Sequence, residues 1–367
     1  MNYRRALFCL AFALASLART ASAADAPTPF EEWQLMRQIV PRHYVCRRTS
    51  QPIKVDGKLD ELAWQNAPWT ENFVDIEGVN QVTPRYRTRA KMLWDDDYLY
   101  IAAELEEPNV WATLTKHDSV IFNDPDFEVF INPDGNSHNY YEFEMNALNT
   151  GWDLRLEKPY KDGGSPIDSW DIPGLKTAVQ VRGTINHPGD TDEGWTIEIA
   201  FPWKALKEFA EVAAPPNAGD TWRIDFSRVE WDVTVKDGKY VKEPGKRENN
   251  WVWSPQGVID MHRPEQWGYV QFSGRESGAL GFIPDPSLPA RRALQGVYYA
   301  QRTFRGRSGR WAKDLEELAR ETGWRQVAVP VEMQVDARDY TATARAPGYN
   351  GATETWHIRS DARVWMQ

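Results

Sequence analysis

Two cysteines in 367 residues exclude a disulfide framework as the basis of the fold. Basic residues are in the minority, 43 Lys and Arg against 53 Asp and Glu. The chain therefore lacks the excess of positive charge with which proteins face nucleic-acid phosphates. Beyond the N-terminus, no run approaches the roughly 18 apolar residues of a membrane span. The G-x-S-x-G, H-E-x-x-H and C-x-x-C signatures are absent, and the six His are scattered without metal-ligand spacing. With so many carboxylates, a glycosidase-like Asp/Glu pair stays open.

What the chain has in quantity is aromatic side chains: 18 Trp, 14 Tyr and 14 Phe. That content argues against disorder, and the length fits about two domains. The tryptophans must either fill a β-rich core or face outward and stack on a ligand.

The first 23 residues read as a secretory signal. Arg4 and Arg5 precede an apolar run over residues 6–17, and Ala21-Ser22-Ala23 supplies the small-x-small cleavage pattern. Loss of this segment removes three Arg and no acid, which moves the net charge from −10 to −13. Cys9 leaves with it, and Cys46 stays as a lone thiol suited to burial. The expected location is secreted or periplasmic.

Residues 24–51 read as an irregular extension with a short helix over 31–39. Strand patterns dominate residues 52–273. Residues 89–94 and 98–105 flank Asp95-Asp96-Asp97 as a hairpin. In residues 126–132, Phe127, Val129 and Ile131 alternate with Asp126, Glu128 and Phe130. In residues 139–147, Tyr141, Phe143 and Met145 alternate with Glu142, Glu144 and Asn146. Residues 195–201, 221–231 and 268–272 continue the habit. Short strands separated by turn signals predict an all-β protein, an antiparallel jelly-roll-like β-sandwich. A link over 274–289 leads to a small α+β element, residues 290–367.

Five segments resemble, in order, the landmarks of the family 9 carbohydrate-binding modules. They are Val55-Asp56-Gly57-Lys58-Leu59-Asp60-Glu61-Leu62-Ala63-Trp64, the Met92–Ile101 hairpin, Asp126-Phe127-Glu128-Val129-Phe130-Ile131-Asn132-Pro133-Asp134, Trp195-Thr196-Ile197-Glu198-Ile199-Ala200-Phe201-Pro202-Trp203, and His262-Arg263-Pro264-Glu265-Gln266-Trp267-Gly268. The resemblance implies a sandwich within a superfamily that holds both sugar-binding and haem-binding members, so fold alone leaves the ligand open.

The resemblance also implies a glycan site. The family clamps a terminal sugar between two Trp. Their positions, six residues before the strand glutamate and three before the closing proline, fall here on Phe122 and Met261. Glu128 matches the glutamate that contacts hydroxyls. Glu144 stands where the family has a basic residue, and Asn146 shares its face. If the two strands are neighbours, these three form one polar wall; solvated outward faces would show the same pattern. Trp253, with Trp251, is placed to replace the missing clamp. Trp152 and Trp170 lie in residues 151–174, a stretch long enough to be a binding loop.

Calcium is implied for the family, with Asp95–Asp97, Asp124, Asp126, Asn132, Asp134 and Asn136 as candidate oxygen donors. The expected partner is a glycan. The alternatives are a haem-binding electron-transfer sandwich using Met145, Met261 or His262, and a glycoside-processing enzyme using Glu128 and Glu144. Residues 294–318, with Tyr298-Tyr299-Ala300-Gln301 and Gly309-Arg310-Trp311-Ala312-Lys313-Asp314-Leu315, faintly resemble the part of type IV pilin-like proteins that follows their assembly helix, which suggests a packing or interaction element.

Overall fold

The computed structural model describes residues 26–278, 281–327, 329–336 and 338–367. The signal-like segment and Cys9 lie outside the described residues. The protein is mostly β. One large sheet runs, from edge to edge, through Pro166–Ile167, Gly151–Leu156, Tyr140–Asn146, Asp126–Asn132, Thr221–Glu230, Gly268–Ser273, His43–Arg48, Thr88–Trp94, Tyr98–Glu106, Gly194–Pro202 and Lys176–Arg182. Asn249–Val252 and Val74–Asp75 join beside Thr221–Glu230.

The sheet curls so that its two halves face each other. Phe143 and Phe201 sit on strands far apart in the strand order, yet their rings meet edge to face at 6.0 Å. The alternating residues supply this core: Phe127, Val129, Ile131, Tyr141, Phe143, Met145, Trp195, Ile197, Ile199, Phe201, Trp222, Ile224 and Phe226 are all buried in one cluster. Trp94, Trp203, Trp222 and Phe272 add a run of edge-to-face contacts at 5.4–6.3 Å. Each such pair contributes about 0.5–1.5 kcal/mol beyond the area it removes from water.

His43–Arg48 differs from the irregular extension expected of it. It is a strand inserted between Gly268–Ser273 and Thr88–Trp94, parallel to both. Its Tyr44 and Cys46 point into the core, and two such inward residues in six give a weak period signal. Just before it, the helix Pro29–Met36 is started by a capping box between Thr28 and Glu31.

That helix packs on the C-terminal element. Trp33 stacks on Tyr299 at 5.3 Å, 8° from parallel. Tyr299 belongs to the helix Leu288–Ser308, which lies with Leu315–Thr322 over a four-stranded antiparallel sheet of Val331–Val335, Tyr340–Pro347, Thr353–Arg359 and Val364–Met366. The element is tied to the sandwich by Arg302 on Asp162 (2.7 Å) and Arg263 on the Tyr299 hydroxyl (3.1 Å).

Two of the sequence landmarks meet in a structural latch. The Glu198 carboxylate accepts the Asp56 and Gly57 N–H groups at 2.8 and 2.7 Å and the Trp64 indole N–H at 2.7 Å. Gly57 has φ +83°, and a Cβ there would stand 2.6 Å from the Val179 carbonyl carbon, so the landmark needs glycine. Replacing Glu198 with Ala orphans all three donors. Glu198→Ala is expected to cost about 2–4 kcal/mol, and Glu198→Gln, which keeps one acceptor, less; urea unfolding midpoints check this.

Candidate functional site

The strands Asp126–Asn132 and Tyr140–Asn146 are antiparallel neighbours with Glu128 opposite Glu144, Asp126 opposite Asn146 and Phe130 opposite Glu142. A strand sends alternate side chains to opposite faces. The residues that fill the core therefore force Asp126, Glu128, Glu142, Glu144 and Asn146 together on the other face. Thr221–Glu230 extends that face with Ser227, opposite Glu128. Gly151–Leu156 extends it with Trp152, opposite Glu144.

An aromatic rim surrounds this row. The Phe122 backbone N–H donates to Glu144 Oε2 at 3.0 Å, and the Trp231 indole donates to the Phe122 carbonyl at 3.0 Å. Tyr160 stands edge-on to His262 with ring centroids 4.4 Å apart. The His262 Nδ1 is 2.9 Å from the Tyr140 hydroxyl. Phe122 and Tyr160 keep 38% and 41% of their surface exposed. Beneath them Ile76, Phe130, Tyr140, Leu154, Leu156, Val252, Met261 and Trp267 form a separate apolar cluster.

The electrostatics are unusual. Asp126, Glu128, Glu142 and Glu144 are each at most 7% exposed, and among the described residues none is paired with Lys or Arg. Burial raises every one of these carboxyls, to about 7 for Glu128 and well above the ordinary range for the other three. The repulsion of neighbouring charges adds to it for Asp126, Glu142 and Glu144. Burial also holds the Tyr160 phenol up, helped by the charges of Glu142 and Glu144. It pushes His262 down to about 4, which keeps the imidazole neutral near pH 7. The row can thus offer carboxylate acceptors or, when protonated, hydroxyl donors.

The sequence-predicted residues divide. Phe122, Glu128 and Glu144 come together. Asn146 is on the face, but its amide is committed to the chain around it: Nδ2 donates to Leu114 O and Asp124 Oδ2, and Oδ1 accepts from Leu148 and Thr150. Met261 is buried in the apolar floor, its carbonyl held by the Trp267 indole at 2.8 Å, so it offers no clamp surface. Trp253, just past the strand Asn249–Val252, is fully buried in the sandwich core against Phe226; it cannot stack on a sugar. Trp251 is buried against Tyr86, and Trp170 packs on Tyr141 and Phe209 at the core side. Met145 is in the core while Met261 and His262 are on the opposite face, so Met145 cannot join either as an axial haem ligand.

Two contributors escape the sequence reading. Glu142 is visible in the alternation but has no family position to single it out. Tyr160 sits in the predicted binding loop, where Trp152 and Trp170 are the larger aromatics.

The calcium candidates are mostly engaged as turn acceptors. Asp95 accepts from Asp97 N–H, Tyr98 N–H and the Tyr100 hydroxyl, all at 2.8 Å. Asp124 accepts from Thr113 and Leu114, and Asn132 holds His138 and Ser137. These donor sets fit turns rather than an ion. Asp126, Glu128 and Glu144 offer one oxygen each within 4.8 Å of one another.

Residues 55–274 match the family described as Carbohydrate family 9 binding domain-like. The chain is 25% identical over 264 residues to endo-1,4-beta-xylanase A of Thermoanaerobacterium saccharolyticum, covering 72% of this chain and 18% of that protein. It is 23% identical over 264 residues to exoglucanase XynX of Acetivibrio thermocellus, covering 72% and 19%. The chain thus spans less than a fifth of the length of these relatives. Solved structures of a family 9 carbohydrate-binding module from Caldicellulosiruptor kristjanssonii, in complex with cellotriose and with glucose, align over 66% of this chain and all of theirs, at 16% identity and TM-score 0.41. With the matched family covering more than half of its length, the chain belongs to the carbohydrate family 9 binding domain-like proteins.

Proposed function

We propose that the protein is an exported glycan-binding protein, and that the sugar lies over the Glu128–Glu142–Glu144 row with Phe122 and Tyr160 against its faces. The observation that carries this reading is a row of buried carboxyls without a Lys or Arg partner among the described residues, beneath exposed aromatic rings. Pyranose C–H faces pack on flat rings, and sugar hydroxyls supply the donors that Asp126 Oδ2 and Glu142 Oε2 lack. Among the described residues no helix is long and apolar enough to cross a membrane. The matched relatives are named as endo-1,4-beta-xylanase and exoglucanase, which fits a role beside polysaccharide breakdown carried out by other catalysts.

The test is a glycan array followed by calorimetry. Phe122→Ala and Tyr160→Ala are each expected to weaken binding about tenfold, since a stacked ring contributes about 0.5–1.5 kcal/mol beyond area. Unchanged affinity in both variants, or no binding to any plant, algal or microbial glycan, would overturn the assignment.

The same burial sets a pH dependence of stability. Folding raises Glu128 from its ordinary value near 4.5 to about 7. Between these values the native state binds more protons than the unfolded chain. The contribution of this proton to stability is therefore full below about pH 4.5 and is lost as pH rises through about 7. Glu128→Gln is expected to flatten this fall, by about 3 kcal/mol at most. Melting temperatures of the two proteins from pH 4.5 to 8 give the comparison.

A further inference from the structure

Away from the carboxylate row, residues distant in the chain meet at the edge of the same sheet. His117 and Asp118 come from the loop that continues to Phe122, Asp153 from the strand Gly151–Leu156, and Asp171 from the loop that follows Tyr160. His117 Nε2 stands 3.1 Å from Asp171 Oδ1 and 3.3 Å from both Asp118 Oδ1 and Asp153 Oδ1. The spacing of these residues in the sequence gives no sign of this; the topology creates it.

The tautomer of His117 is fixed by its other nitrogen. Nδ1 lies 2.9 Å from the Gly151 carbonyl oxygen. A carbonyl only accepts, so Nδ1 carries the hydrogen. In the neutral ring Nε2 is then a lone pair, and it faces three carboxylate oxygens. Such a centre needs a positive charge. A second ring proton supplies one, but it points at one carboxylate at a time. Asp153 shows what is left over. Its side chain is 3% exposed, and Oδ2 accepts the Ile172 N–H. Oδ1 is buried and has no hydrogen-bond partner among the described residues, although it looks toward Nε2.

One cation satisfies the nitrogen and all three carboxylates together. The four ligand atoms lie within 4.8 Å of one another. A ring anchored by a backbone carbonyl and a carboxylate oriented by a backbone N–H are the outer supports that metal ligands carry. An imidazole among the donors favours the zinc or manganese class over calcium.

We infer that His117, Asp118, Asp153 and Asp171 bind one divalent cation of the zinc or manganese class. The ion would tie the loop bearing Phe122 to the loop bearing Tyr160, and its site is separate from the glycan row.

The test is calorimetric titration of chelator-stripped protein with ZnCl2, MnCl2 and CaCl2 in the absence of sugar, so its outcome does not depend on the glycan assignment. The expected result is one ion per chain, with Zn2+ or Mn2+ bound at least tenfold more tightly than Ca2+. His117→Ala and the exposed Asp171→Ala should each weaken binding about 10–100-fold, and His187→Ala, which removes another Asp-paired histidine, should leave it unchanged. Circular dichroism of the stripped variants separates lost binding from lost folding. No stoichiometric uptake by the unaltered protein, tighter Ca2+ than Zn2+ and Mn2+, or full affinity in folded His117→Ala and Asp171→Ala, would overturn the inference.

Discussion

The two-residue period of a β-strand governs this molecule. In Asp126–Asn132 and Tyr140–Asn146 the same backbone must satisfy two opposite environments. Phe127, Val129, Ile131, Tyr141, Phe143 and Met145 hold the core shut. Their partners in the alternation have no choice but to share the other face. Four carboxyls in one dry row are a costly arrangement, and the core packing is what enforces it. The carboxyl row is a consequence of how firmly the far side of the sheet is packed.

Much of the architecture is legible in the sequence, because alternation is a local signal. The strands near residues 89–94, 98–105, 126–132 and 195–201 appear within a residue or two of their expected bounds. The side-chain assignments in residues 126–132 and 139–147 hold position by position. His43–Arg48 is hidden from a local reading because its partners lie at Thr88–Trp94 and Gly268–Ser273, and no local pattern announces a parallel seam.

The site is legible in its carboxylates and less so in its aromatics. Period two places Glu128 and Glu144 on one face, and their family positions are what single them out from Asp126 and Glu142. Which large ring faces outward is decided by loops and by the strand's turn toward or away from the core. Trp253 and Tyr160 show the difference. The first carries the stronger stacking surface and is wholly enclosed; the second is smaller, on a loop, and open. Two of the family's recurrent segments serve the fold itself, since Glu198 joins Asp56, Gly57 and Trp64 away from the carboxylate row.

The parallel seam has a consequence for how the chain reaches its native state. His43 is in register with Tyr269, and Cys46 with Phe272. The first strand of the sandwich therefore waits for the last one before it is flanked on both sides. Contacts of such long sequence separation slow folding, and closure of this seam needs nearly the whole sandwich in hand. The same seam means that a fragment cut to the family match, residues 55–274, would lose an interior strand and expose two unpaired edges, a hazard for self-association.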